Sequence, residues 1–250
     1  MKEWLYSRNA VFETLLARRR EAFHLLVAEG SQEKGRLAEI LKIAAERKIP
    51  TDRVPRTRLD KISANHQGAA LEVSAYPYSY LQGILQLAEQ RTEQPFLLIL
   101  DTLQDPQNLG TLLRTAEAVG VHGVILPLAR AATITPAVVN ASSGAVEHLL
   151  VAQANLAQAI EQLKKNDIWV IGLEGSEQAQ PPGWVRLDLP LALVVGSEGE
   201  GMRQLIQRSC DVLLRLPMRG RVESLNAAVA GSVALYLVWQ ARGFLEAQSS

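Results

Sequence analysis

Apolar and polar positions alternate along this chain in blocks that change period every ten to fifteen residues. Over 8–20 the apolar residues Val11, Phe12, Leu15 and Leu16 fall at helical spacing. Arg18, Arg19 and Arg20 follow near the helix end, where the dipole favours cations. The pattern then predicts a strand over 23–28, an amphipathic helix over 32–48, and short strands over 49–54 and 68–73. Tyr76-Pro77-Tyr78-Ser79-Tyr80 breaks the alternation and reads as a linker, its aromatics either pinned to a domain or open for stacking on bases. A continuous apolar run over 96–100 has the character of a strand buried in a parallel sheet. Further strands are expected at 123–126, 149–152, 169–173, 191–195 and 212–216, with helices at 107–119, 155–166, 201–209 and 225–241. Repeated strand–helix alternation means an α/β fold with a largely parallel sheet. The division read from this pattern is a small α/β unit over 1–75, a linker and lead-in helix over 76–94, and a larger unit over 95–250.

Composition narrows the class. Hydrophobic residues at 48% and charged residues at 21% suit a soluble globular protein, and no apolar run approaches the roughly 20 residues of a membrane helix. The N-terminus lacks the apolar core of a secretory signal, and the single Cys210 cannot form an internal disulfide, so a cytoplasmic setting is expected. A formal net charge of zero hides an asymmetry: residues 1–75 hold 14 Lys/Arg against 10 Asp/Glu, and the remainder 12 against 16. Within that acidic remainder Arg203, Arg208, Arg215, Arg219 and Arg221 cluster in sequence. A basic first unit and a local arginine cluster fit a polyanionic partner.

Three polar motifs fall where apolar strands stop and helices start, the edge at which open α/β sheets bind ligands. In the first, over 101–114, Asp105 and Pro106 form a helix start, Asn108 lies in the first turn, and Arg114 is nearly two turns further on. In the second, Gly196-Ser197-Glu198-Gly199-Glu200-Gly201, no Lys-Ser/Thr follows the glycines and the spacing is not that of a dinucleotide loop. Glycines there allow close backbone approach, and Glu198 suits a donor group or cation better than a phosphate. In the third, Ser224 is the expected cap of a helix rich in Ala, Val and Gly, with Asn226 two residues on. The four histidines show no metal-ligand spacing, so no metal is expected.

Taken in order, Asn108-x-Gly110-x-x-x-Arg114, Gly196-Ser197-Glu198-Gly199-Glu200-Gly201-Met202 and Pro217-Met218-x-Gly220-x-Val222-Glu223-Ser224-Leu225-Asn226 closely resemble the TrmH (SpoU) family of RNA ribose 2′-O-methyltransferases. That similarity is dense over 95–243. Tyr6-Ser7-Arg8-Asn9-Ala10-Val11-Phe12-Glu13 and His66-Gln67-Gly68-Ala69-Ala70-Leu71-Glu72-Val73 make residues 4–74 look like the ribosomal-protein-like RNA-binding domain of the 23S rRNA (guanosine-2′-O) members. The resemblance implies a SPOUT fold with a C-terminal trefoil knot, S-adenosylmethionine as cofactor, and a homodimer with the active site near the subunit interface. It also implies that main-chain groups around Val195, Gly196, Gly201, Leu216, Met218 and Leu225 hold the cofactor. Asn108, Arg114, Glu198, Ser224 and Asn226 match the family's polar catalytic set.

The expected activity is therefore S-adenosylmethionine-dependent 2′-O-methylation of RNA, at a guanosine of 23S rRNA or its precursor particle, with no DNA or membrane partner. One alternative is a tRNA ribose methyltransferase, whose minimal members resemble the second unit alone. Another is a non-catalytic RNA-binding or ribosome-assembly factor on the same fold. A nicotinamide oxidoreductase is excluded because no dinucleotide fingerprint follows any strand.

Overall fold

In the computed structural model the described residues are 2–128, 133–199, 201–222 and 224–245. In chain order the elements begin with β1 (Lys2–Tyr6), α1 (Arg8–Ala17), β2 (Ala22–Ala28), α2 (Arg36–Glu46), β3 (Thr51–Val54), α3 (Arg56–Asp60) and β4 (Ala69–Ser74). There follow α4 (Leu81–Arg91), β5 (Phe96–Leu100), α5 (Pro106–Ala118), β6 (Gly123–Pro127) and α6 (Pro136–Ala141). The chain continues with β7 (Leu150–Ala154), α7 (Leu156–Lys165), β8 (Trp169–Leu173), β9 (Leu191–Val195), α8 (Gln204–Ser209), β10 (Val212–Leu214) and α9 (Ala227–Ala241). They form two units, Met1–Pro77 with Ile134–His148, and Tyr78–Thr133 with Leu149–Ser250.

The first unit is built on a four-stranded sheet in the order β1-β4-β2-β3, with β1 and β2 antiparallel to β4 and β3 parallel to β2. β1 escapes the sequence pattern because its partner is distant: Leu5 faces Leu71 across the ladder. α1 is shorter than its expected span of 8–20. Arg18 adopts a left-handed conformation, φ 55°, and its N–H closes on the Thr14 carbonyl at 3.3 Å. The three arginines are therefore not a solvated last turn. Arg20 turns inward with its side chain fully buried, Nη2 lying 2.9 Å from Glu147 Oε1 and Nη1 3.0 Å from Glu3 Oε2. Glu147 belongs to a 3-10 turn, Ala145–His148, so residues 134–148 pack with the first unit although they lie within 95–250 by sequence. Buried Tyr76 helps hold them, its hydroxyl donating to the Val146 carbonyl at 3.1 Å, whereas Tyr80 is exposed.

The second unit is a six-stranded, all-parallel sheet in the order β10-β8-β9-β5-β6-β7. β5 and β9 are buried at every position, which is why they read as unbroken apolar runs. Leu97, Ile99, Val170, Ala192 and Val194 form a core with Leu156, Ile160 and Leu163 of α7. Beyond edge strand β10 the chain returns to the middle of the sheet, where α9 packs on α5 and Thr115 Oγ1 lies 2.9 Å from Ser232 Oγ. Among the described residues no helix is long and apolar enough to cross a membrane. Because β9 sits between β8 and β5, the loops leaving these three strands emerge side by side at the carboxyl edge.

Candidate functional site

The loop after β9 is folded tightly on itself. Ser197 N–H donates to the Gly201 carbonyl at 3.0 Å and Gly201 N–H returns to the Ser197 carbonyl at 3.2 Å. Gly201 has φ 68°, and a Cβ on Gly196 would lie 2.2 Å from the Gly201 carbonyl carbon. Two stretches of main chain touch there with no room for a side chain. Met202 then plunges into the core.

A buried carboxylate fixes the far end of this loop. Asp101, immediately after β5, is fully buried, and its N–H donates to the Val195 carbonyl at 2.8 Å. Its Oδ2 accepts the Arg203 N–H at 2.8 Å, and its Oδ1 accepts Arg203 Nε at 2.7 Å with Nη2 also 2.7 Å away. Asp101 is not among the expected functional residues. Its signal in the sequence is a carboxylate directly following a fully apolar strand at the ligand-binding edge.

The start of α5 matches the sequence reading. Asp105 caps it by accepting the Asn108 N–H at 3.0 Å, with Pro106 at the first position. The start of α9 corrects it. Asn226, not Ser224, is the cap, its Oδ1 accepting the N–H groups of Ala228 at 2.9 Å and Val229 at 3.1 Å. With the oxygen used, the amide nitrogen must face outward. It donates to Asn108 Oδ1 at 3.1 Å and to Glu198 Oε1. One side chain from each of the three motifs therefore meets at a single point.

Glu198 of this cluster lines two cavities, and Asn108 lines the second of them. The first, of about 310 Å³, is lined by all six residues expected to hold a cofactor, Val195, Gly196, Gly201, Leu216, Met218 and Leu225, together with Glu198 and Ser224. Glu174, at the end of β8, also lines it and lies outside the expected set; its Oε1 accepts the Gly175 N–H at 3.0 Å. Glu174 and Glu198 are the charged groups among its described lining residues, so the cavity is acidic with apolar walls. The second cavity, about 750 Å³, shares Ser197, Glu198 and Gly201 with the first. It is also lined by Thr102, Gln104, Asn108, Arg203 and Gln204. Thr102 holds φ 65°, an uncommon conformation for a β-branched residue and the kind of strain that collects at functional sites.

Arg114 is exposed on α5 and is not among the described residues lining either cavity. Glu200 and Glu223 of the same motifs lie outside the described residues. Burial pushes the Cys210 thiol up to about 12, so at neutral pH it is a protonated, half-buried group packed under Gly172, not a nucleophile.

Residues 95–236 match the SpoU rRNA Methylase family, and residues 4–79 match the domain described as RNA 2′-O ribose methyltransferase substrate binding. A Bacillus subtilis protein provisionally named TrmH family tRNA/rRNA methyltransferase YacO is 43% identical over 244 residues, covering 96% of each chain. Among solved structures, AviRb from Streptomyces viridochromogenes in complex with the cofactor AdoMet superposes with a TM-score of 0.80 at 19% identity, over 98% of this chain and 92% of that one. The AdoMet-bound rRNA methyltransferase of Sinorhizobium meliloti gives 0.76 at 22% identity, over 98% and 88%. The fold is that of the SPOUT methyltransferases, and the meeting of three ordered motifs on one sheet edge is accounted for by descent: this chain belongs to the SpoU rRNA methylase family.

Proposed function

We propose that this protein is an S-adenosylmethionine-dependent RNA ribose 2′-O-methyltransferase acting in the cytoplasm on a guanosine of 23S rRNA. The observation that carries this reading is the joining of Asn108 to Glu198 through Asn226, with Glu198 lining both a cofactor-sized cavity and a larger polar one. The first cavity fits the donor by its chemistry. Leu216, Met218 and Leu225 offer apolar surface to a flat base, and Glu174 and Glu198 favour a cationic ligand. The contact of Gly196 with Gly201 leaves main-chain groups facing that space. When bound there, the cofactor supplies an electrophilic methyl group on a sulfonium.

The chain's own task is alignment and activation of the acceptor hydroxyl. Positioning of reacting groups is worth several kcal/mol of rate, up to about 7–11 in favourable cases. Asn108 and Asn226 orient the ribose, and Glu198 orients the nucleoside or Arg114. Ser224, on the wall of the first cavity, completes the polar set. A guanidinium with a pKa above about 12 is unsuited to accept a proton. Arg114 instead lowers the hydroxyl's pKa electrostatically and holds the adjacent phosphate.

Exposed on α5 and outside the described lining of these two cavities, Arg114 is suited to serve a site completed across a homodimer. An interface is supported by α9, whose Val229, Val233 and Tyr236 leave an exposed apolar stripe continuing to Phe244. The preceding substrate-binding unit and its excess of Lys/Arg favour rRNA over tRNA as target.

Calorimetry with S-adenosylmethionine and transcriptome-wide mapping of ribose methylation with and without the gene test this reading. Loss of one 2′-O-methyl guanosine in 23S rRNA is the expected result. Loss of a tRNA mark would move the assignment to tRNA, and an unchanged map with no cofactor binding would leave a non-catalytic RNA-binding factor.

A further inference from the structure

We infer that Arg203 is a phosphate-binding residue of the RNA-facing cavity, held in place by Asp101; the inference rests on the RNA methylation reading above. Among the described residues lining the larger cavity, Arg203 is the sole lysine or arginine. Its guanidinium grips Asp101 Oδ1 through Nε and Nη2, both at 2.7 Å, and its own N–H reaches Oδ2 at 2.8 Å. The carboxylate is wholly buried, whereas the Arg203 side chain is 52% exposed. One edge of the fork is anchored, and the opposite edge, carrying Nη1, faces away from the carboxylate.

Such a side chain has few conformations left to lose when a ligand arrives, which favours binding of a planar or tetrahedral oxyanion. The carboxylates on the same rim are already engaged, Asp105 with the Asn108 N–H and Glu198 with the Asn226 amide. They orient the site without claiming the guanidinium. Arg203 follows directly on Gly201 and Met202, at the end of the wall that bears Glu198. A phosphate held there would belong to the strand whose sugar lies against Asn108 and Glu198.

A purely structural clamp would also explain the ion pair, so the test must read phosphate contact itself. Arg203→Met alone would strand a buried carboxylate, so the variant of choice is the double substitution Asp101→Asn with Arg203→Met, and Arg203→Lys keeps the charge. Equilibrium binding of unmodified 23S rRNA transcript and of a tRNA transcript is measured across a KCl series. Loss of one phosphate contact should lower the slope of log affinity against log salt by about 0.7–0.9 in the double variant, with the lysine variant keeping the full slope. An unchanged slope in the double variant overturns the inference, whatever its effect on cofactor affinity. Methyl transfer by the unsubstituted protein reports separately on the proposed function. Its absence would sink that reading, whereas transfer with an unaltered salt slope would sink only the role of Arg203.

Discussion

Asn226 donates to Asn108 at 3.1 Å while its carbonyl oxygen caps α9, so one side chain both starts a helix and joins two motifs. The two duties can be separated. An aspartate in place of this asparagine would still cap the helix but would set a second carboxylate against Glu198 and remove the donor to Asn108. Asn226→Asp should therefore unfold in urea close to the unsubstituted protein yet lose at least about 100-fold in methyl transfer. Asn226→Ala should lose activity and also about 0.5–2 kcal/mol of stability.

The contact between Gly196 and Gly201 predicts a different kind of failure. A methyl group at Gly196 would sit 2.2 Å from the Gly201 carbonyl carbon, and main chain cannot yield as a side-chain tip can. Gly196→Ala should displace the loop and abolish cofactor binding by calorimetry. Binding within twofold or so of the unsubstituted affinity would show that this loop does not shape the cavity.

If Arg114 works across a subunit boundary, inactive variants should complement one another. Random pairing of Arg114→Ala with Asn226→Asp makes half the dimers mixed, each with one intact site. About a quarter of the unsubstituted activity should return on co-expression. No recovery would place Arg114 and Asn226 in the service of the same chain's site or of none.

Stability should fall in mild acid through His122. This buried imidazole accepts the Phe96 N–H on Nδ1 at 3.1 Å, so Nε2 carries the proton that faces Glu93 at 3.0 Å. Burial is the main cause that pushes its pKa below the ordinary histidine value, outweighing Glu93, which acts the other way. Below the unfolded-state pKa of about 6.5 the unfolded chain takes up a proton that the folded chain refuses, so stability is full above that pH and drains away beneath it. Melting temperatures at about pH 7.5 and about pH 5.5 should differ more for the natural protein than for His122→Asn.

In the first unit Arg20 and Glu147, both with fully buried side chains, form a pair at 2.9 Å. Arg20→Met would leave Glu147 charged and without its partner, a loss of about 3–5 kcal/mol in urea denaturation. Arg20→Met with Glu147→Gln should recover part of it, since Glu3, partly exposed, is then the carboxylate left without its Arg20 contact.

Much of the second unit is readable because parallel strands buried on both faces announce themselves as apolar runs, and Asp105-Pro106 spells a helix start. The family resemblance carried by the three motifs likewise leads to six of the residues that line the smaller cavity. What cannot be read depends on partners remote in the chain. Nothing local tells Arg20 apart from Arg18, yet one is sealed beside Glu147 and the other ends a helix in a left-handed turn. Ser224 and Asn226 are equally good caps by residue type. Only the presence of Asn108 and Glu198 on the far side gives the amide an advantage, because a hydroxyl has a single proton and cannot donate to both. Asp101 and Glu174 are not singled out by the sequence for the same reason: an acidic residue after a strand is visible there but acquires meaning from what the neighbouring loops bring to it.

The partition that Ser197, Glu198 and Gly201 form between the two cavities is a tight loop in which the main chains of Ser197 and Gly201 bond to each other in both directions. Its width is fixed by peptide geometry and by the collision any Cβ at Gly196 would cause. Under the proposed function, the gap that a methyl group would cross is thereby insulated from most sequence drift. Substitutions around either chamber would then retune which donor or which sugar is admitted, while the span separating them stays as the backbone sets it.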